Sequence, residues 1–268
     1  MTRNGPLALL YHGLFVVFML APIVVTVLVA FTPEGYLSLP TTAFSLRWFR
    51  AIARYPEFVT AFWTSLWLGA LSSTLAVGVA VPAALAIARY DFVGREAMTT
   101  VLMSPLMIPH VVLGIAFLRF FTAVGLGNTF IGLVLAHLVI VLPYVVRLTL
   151  AASLAMDRRV EQAAISLGAS MFEVFRRITL PAILPGLMSG WVLAFIQSFD
   201  EVTMTVFVAA PGTETLPVRM FLYIQDNIDP LVTSVSACVI AITVAALVAL
   251  DRAYGLERLL VGRSADGR

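Results

Sequence analysis

Asp200 and Glu201 stand side by side within WVLAFIQSFDEVTMTVFVA, a stretch otherwise almost entirely apolar. A charged side chain at mid-membrane costs about 2.5–3.5 kcal/mol on insertion scales, so each acid must face a wet cavity, pair with a partner or stay protonated. An unpaired carboxylate there can receive a cationic ligand. Gln197 lies one turn before Glu201 on a continuous helix and offers both donor and acceptor groups. On such a helix the two acids point about 100° apart, which predicts different roles for them. If the helix enters near residue 183, Asp200 lies about 25 Å along it at about 1.5 Å per residue. Arg147, in the preceding apolar segment, then differs in depth by about 15 Å, which disfavours a salt bridge. Arg119 or a base from another subunit remains as a partner. Asp200, Glu201 and Gln197 are therefore candidate substrate-path residues, with capping or bridging of helices as the structural alternative.

Other reactive groups are few. His12, His110 and His137 fall on separate segments without ligand spacing, and no nucleophile with a base is evident, so neither an intramembrane enzyme nor a metal site is expected. The single cysteine, Cys238, permits no disulfide within the chain. All seventeen basic residues are arginines. Without lysine there is no GxxxxGK[ST] loop to cradle phosphates, so the chain is expected to bind no cofactor and hydrolyse no ATP. The arginines form no aromatic-interleaved patch of the kind that binds nucleic acid.

The elements that position these residues are apolar helices. Hydrophobic residues make up 60% of the chain and charged residues 12%, with a mean hydropathy of +0.98, which excludes an ordinary soluble domain. A hydrocarbon core of about 30 Å takes about 20 helical residues. Six segments qualify, at about 7–31, 61–88, 97–121, 130–153, 183–209 and 231–250, and predict one all-α membrane domain over 1–268. Eleven arginines fall on one side of these segments and five on the other, so the positive-inside tendency places both termini, and the 157–181 loop, in the cytoplasm. On the outer side FSLRWFRAIARY predicts a short interfacial helix with Leu46, Phe49 and Ile52 on one face. It reads either as a linker on lipid headgroups or as part of a landing surface for a binding protein.

The loop DRRVEQAAISLGASMFEVFRRITLP carries its own start and stop signals. Asp157 can cap a first helix and Gly168 can end it in a left-handed turn. Ser170 and Glu173 then form a capping box that starts a second. Val160, Ala163, Ala164 and Leu167 share one face of the first helix, and Phe172, Phe175 and Ile178 line the second, opposite Arg176 and Arg177. Such a hairpin needs a partner.

The loop resembles the EAA loop of ABC importer permeases, Glu-Ala-Ala, three residues, Gly, nine residues, Ile-x-Leu-Pro. Ala163, Ala164, Gly168, Ile178, Leu180 and Pro181 match, while Gln162 occupies the acidic position, with Glu161 one residue earlier. SFDE, the later PGTETLPVRMF and the ARYDFVGRE turn resemble the spermidine/putrescine-type members over roughly residues 7–250. The resemblance implies a type I ABC importer permease fold of six transmembrane helices in a bacterial inner membrane. It implies ATPase coupling through Glu161, Gln162, Ala163, Ala164, Gly168, Ala169, Ser170, Phe172, Glu173 and Arg176. It also implies a second permease, two ATP-binding subunits using ATP and Mg, and a periplasmic or extracellular binding protein as partners, alongside membrane lipid. A polyamine cargo is the expectation. The alternatives are another small solute or a stand-alone proton-coupled transporter using the acid pair.

Overall fold

The structure is a computed structural model that describes residues 5–40 and 43–254. Twelve α-helices follow one another among these residues: α1 Pro6–Val29, α2 Arg47–Ile52, α3 Pro56–Arg89, α4 Arg95–Met103, α5 His110–Ala123, α6 Phe130–Ala155, α7 Arg158–Ser166, α8 Met171–Val174, α9 Leu180–Phe199, α10 Thr205–Val208, α11 Leu216–Asp226 and α12 Leu231–Tyr254. Five continuous helical stretches are long and apolar enough to cross a membrane: α1, α3, α6, the run Met171–Phe199, and α12. A sixth crossing is available only if a broken pair counts as one span. That pair, Arg95–Leu106 with His110–Ala123, is bent by 102°.

Two of the predicted segments differ from the observed helices. Segment 97–121 is interrupted because Pro105 opens a single 3-10 turn and Pro109 disfavours helical geometry at the residue before it, so the chain restarts at His110. Segment 183–209 ends early, at Phe199, and begins earlier than expected. The second helix of the 157–181 loop is no separate element. It runs from Met171 through a π-helical turn, Phe175–Thr179, directly into α9. The widened turn lies immediately before Pro181, whose ring has no N–H for the Arg177 carbonyl and would crowd it in an α-helix. Pro22, Pro82 and Pro143 lie within helices that continue through them.

The chain packs as two compact units. One comprises the described residues up to Val59 together with Met220–Arg252. In it the Ser234 hydroxyl of α12 donates to the Ala30 carbonyl at 3.2 Å, and Tyr55, Phe58 and Tyr223 meet edge to face. The Tyr223 hydroxyl donates to Asp229, and burial raises its pKa. Phe31 packs on Phe49 of α2, and the Trp48 indole donates to the Glu34 carbonyl at 3.0 Å.

The other unit comprises Thr60–Arg219. Its core joins Leu68, Ala76 and Ala80 of α3 to Leu133, Ile140, Val141 and Val145 of α6 and to Leu187 and Ala194 of α9. Helices α6 and α9 cross closely because Gly186 and Gly190 lie four residues apart on one face. A Cβ at Gly186 would come within 2.5 Å of the Ala152 Cβ, and one at Gly190 within 3.1 Å of the Val145 Cα. No larger residue fits there without moving the helices apart.

Candidate functional site: a capped loop and a broken-helix junction

The loop between α6 and α9 is built by its caps. Asp157 accepts a hydrogen bond from the Arg159 amide at 2.9 Å and starts α7. Gly168, at φ +93°, stops it, with its own amide donating to the Ile165 carbonyl and the Ala169 amide reaching back to Ala164. This paired closure needs the left-handed conformation that only glycine adopts without strain. Ser170 accepts from the Glu173 amide while Glu173 accepts from the Ser170 amide at 3.0 Å, which is the expected capping box. Those hydrogen bonds from Ser170 hold the Glu173 carboxyl below its ordinary range.

Outward from this frame stand Val160, Gln162, Ala163, Leu167, Ser170, Phe172, Glu173 and Arg176, with Ala164 and Ala169 half-buried. Leu167 is 90% exposed and Phe172 70%. These apolar side chains are held in place by well-formed caps and left unpacked by the described residues.

Glu161 faces the other way. It is buried, accepting from Arg89 of α3 and from the Thr179 hydroxyl in the π-helical turn, and Arg89 also donates to Thr179 at 3.2 Å. Arg158 in turn donates to the carbonyls of Ala88 and Arg89. By sequence Arg89 and Arg158 are simply two of the eleven arginines on the side of this loop. The one signal available was a glutamate next to a motif position, with no spacing to name its partner.

The acid pair lies at a second break. Because α9 stops at Phe199, Asp200 is its C-cap and Glu201 lies beyond it, so the 100° separation expected on a continuous helix does not apply. For the same reason Gln197 and Glu201 do not share a helical face. Glu201 is 4% exposed and fully engaged: one oxygen accepts from the Met204 amide at 2.7 Å, the other from His110 Nδ1 at 2.6 Å. Neither arginine considered from the sequence supplies the partner; it is the histidine that restarts the broken third span after Pro109. Asp200 is exposed and makes no side-chain hydrogen bond or ion pair among the described residues, and Gln197 beside it is half-buried. Deeper in, His137 of α6 lies 2.8 Å from the Ser198 hydroxyl and 3.0 Å from that of Thr205, binding the two sides of the α9 break to α6. Gly114 of α5 lets α10 approach, since a Cβ there would meet Phe207 at 2.7 Å. Two interrupted helices thus meet at one place, the arrangement in which irregular backbone is tolerated at membrane depth.

Among the described residues no group of three or more metal-ligating side chains is assembled. His12 lies exposed on α1, and Arg147 is exposed on α6 without a polar partner among the described residues.

The chain resembles known proteins along most of its length. It is 32% identical over 246 residues to the spermidine/putrescine transport system permease protein PotC of Haemophilus influenzae, covering 92% of this chain and 93% of that one. It is 34% identical over 234 residues to the molybdenum transport system permease protein ModB of Mycobacterium bovis, covering 80% and 88%. Among solved structures, a bacterial ABC transporter that imports alginate superposes with a TM-score of 0.73 at 13% identity, over 92% of this chain and 95% of that one. Residues 76–256 match the family described as binding-protein-dependent transport system inner membrane component. This chain belongs to that family and has the type I ABC importer permease fold.

Proposed function

We propose that this chain is the membrane-spanning subunit of an ATP-driven importer that carries a cationic polyamine, such as spermidine or putrescine, across a bacterial inner membrane. Both termini are cytoplasmic in this reading. The complex contains a second permease subunit, two subunits that hydrolyse ATP with Mg, and a binding protein on the outer side. The bare apolar face of the 157–181 loop is the surface that the ATP-hydrolysing subunit grips, with Leu167 and Phe172 as its anchors and Gln162 at the position where the family has an acid. On the outer side the α2 region carries Arg47, Arg50 and Arg54 around a cavity of about 740 Å³, which suits the acidic surface of a binding protein.

The observation that carries the substrate assignment is the division of the acid pair. Glu201 is consumed in holding the junction, and Asp200 is left exposed beside Gln197 where the α9 break opens. A free carboxylate with a neutral amide beside it attracts a polyamine cation and repels an oxyanion. A second reading, an oxyanion cargo, is favoured by Arg147, which has no polar partner among the described residues, and by the molybdenum-system relative. Reconstitution of the complete complex in proteoliposomes decides between them: ATP-dependent uptake of labelled spermidine, absent for molybdate, is expected, and the reverse preference overturns the polyamine assignment. Purified alone, the chain is expected to show no ATPase activity.

A further inference from the structure

Helix α7 is covalently joined to α6 and, through the Gly168 turn, to the run leading into α9. Its side-chain bonds also reach a helix it is not joined to, at the end of α3. Arg89 in the last turn of α3 donates to Glu161 of α7, and Arg158 at the start of α7 donates back to the carbonyls of Ala88 and Arg89. Those carbonyls belong to a helix end, where no amide of the same helix remains to meet them. The Thr179 hydroxyl joins Glu161 from the π-helical turn and receives Arg89 in addition, at 3.2 Å. Each helix therefore contributes an arginine that holds the other. Glu161 is only 8% exposed, and separating it from Arg89 would leave a charge buried and uncompensated. The contacts cannot open without a large penalty while the loop stays folded.

We propose that Arg89, Arg158, Glu161 and Thr179 form a clasp that makes α7 and the end of α3 one rigid body. A displacement imposed on the outward face of α7 is then delivered to the second span and, through Thr179, to the π-helical turn at the foot of α9. The four are positioning residues, since they touch neither cargo nor nucleotide. This rests on the coupling reading above and adds to it the route by which motion enters the bundle: α7 pulls on α3 through side chains as well as on its chain neighbours.

The test uses the complete complex in lipid. Spin labels are placed at Tyr90→Cys and Ser166→Cys, in a chain also carrying Cys238→Ser, and the distance between them is measured without nucleotide and with ATP and vanadate. An unchanged distance is expected. A distance that shifts between the two states means that α7 moves against α3, and overturns the clasp. In parallel, solute transported per ATP hydrolysed is measured for Glu161→Gln, which keeps the size of the side chain and loses its charge. The ratio is expected to fall at least about fivefold with subunit yields unchanged. Equal losses of transport and hydrolysis at an unchanged ratio assign the cluster to stability alone and overturn the proposal. Arg158→Gln, which loses only the carbonyl contacts, is expected to show the same fall to a smaller extent and serves if Glu161→Gln does not assemble. Failure of the unaltered chain to draw down the ATP-hydrolysing subunits strikes the coupling reading itself, whereas a normal complex with a shifting label distance strikes the clasp alone.

Discussion

Two pairs of adjacent residues, Glu161 with Gln162 and Asp200 with Glu201, occupy opposite ends of the run from α7 to α10 and are divided in the same way. In each pair a glutamate turns inward and is fully engaged, Glu161 by Arg89 and Thr179, Glu201 by His110 and the Met204 amide. Its neighbour, Gln162 or Asp200, is exposed. The two differ in what surrounds them. At the loop the inward glutamate joins three well-formed helical elements. At the junction it closes a gap where helices have ended, and its amide contact replaces a helical bond that α9 no longer makes. Adjacent polar residues are thus divided, one fixing the local structure and the other exposed.

The comparison is broken most severely at Glu161. Replacing it by alanine leaves the half-buried Arg89 guanidinium and the buried Thr179 hydroxyl without their shared acceptor, at a cost of about 3 kcal/mol. A large drop in the thermal unfolding midpoint in detergent checks this, and an unchanged midpoint would show the cluster to be solvated. At the junction Glu201→Ala strands the Met204 amide and His110, costing about 1–3 kcal/mol. The smaller loss is expected because a guanidinium stays charged after losing its carboxylate, whereas the Met204 amide is a neutral donor.

Substitution of the outward neighbours sharpens the division. Asp200→Asn should leave the unfolding midpoint within about 0.5 kcal/mol of the parent while lowering spermidine uptake about tenfold, the worth of one charged contact. Equal uptake kinetics for both proteins would remove Asp200 from the path. Gln162→Glu restores the acid of the family pattern on an exposed face, so stability should again change by less than about 0.5 kcal/mol. Its effect should appear in the yield of co-purified ATP-hydrolysing subunit, and a destabilised chain would contradict the outward placement.

The smallest effect concerns Glu173, whose carboxyl is solvated and yet held below its ordinary value of 4.5 by the Ser170 hydrogen bonds. Because the folded value is depressed, the capping box contributes fully above 4.5 and its contribution is lost as pH falls through the lower folded value. Amide exchange at Ser170 and Glu173, corrected for intrinsic rates, should therefore be steady down to that range and rise below it. Glu173→Gln should abolish the dependence.

The loop was legible in the sequence because caps are local. Asp157, Gly168, Ser170 and Glu173 act on backbone groups within five residues, and all four do what their types and spacing predict. The junction was not legible. Nothing in WVLAFIQSFDEVTMTVFVA announces that the helix stops at Phe199, since its apolar composition continues, and the partner that stabilises the stop is His110, 91 residues away. The break in the third span was half visible in Pro105 and Pro109. Proline removes a donor wherever it occurs, yet Pro22, Pro82 and Pro143 leave their helices continuous. Whether neighbouring helices compensate the lost bond depends on packing.

By itself the sequence determined that the chain is a bundle of apolar helices, with a capped loop between the fourth and fifth apolar segments. Composition and short-range hydrogen bonding suffice for that, because transfer of apolar side chains and satisfaction of helix ends depend on neighbours within one or two turns. Only the tertiary structure decided which member of each polar pair is buried. That choice depends on Arg89, Thr179 and His110, brought near from distant parts of the chain, and a buried charge is tolerable only where such partners arrive together.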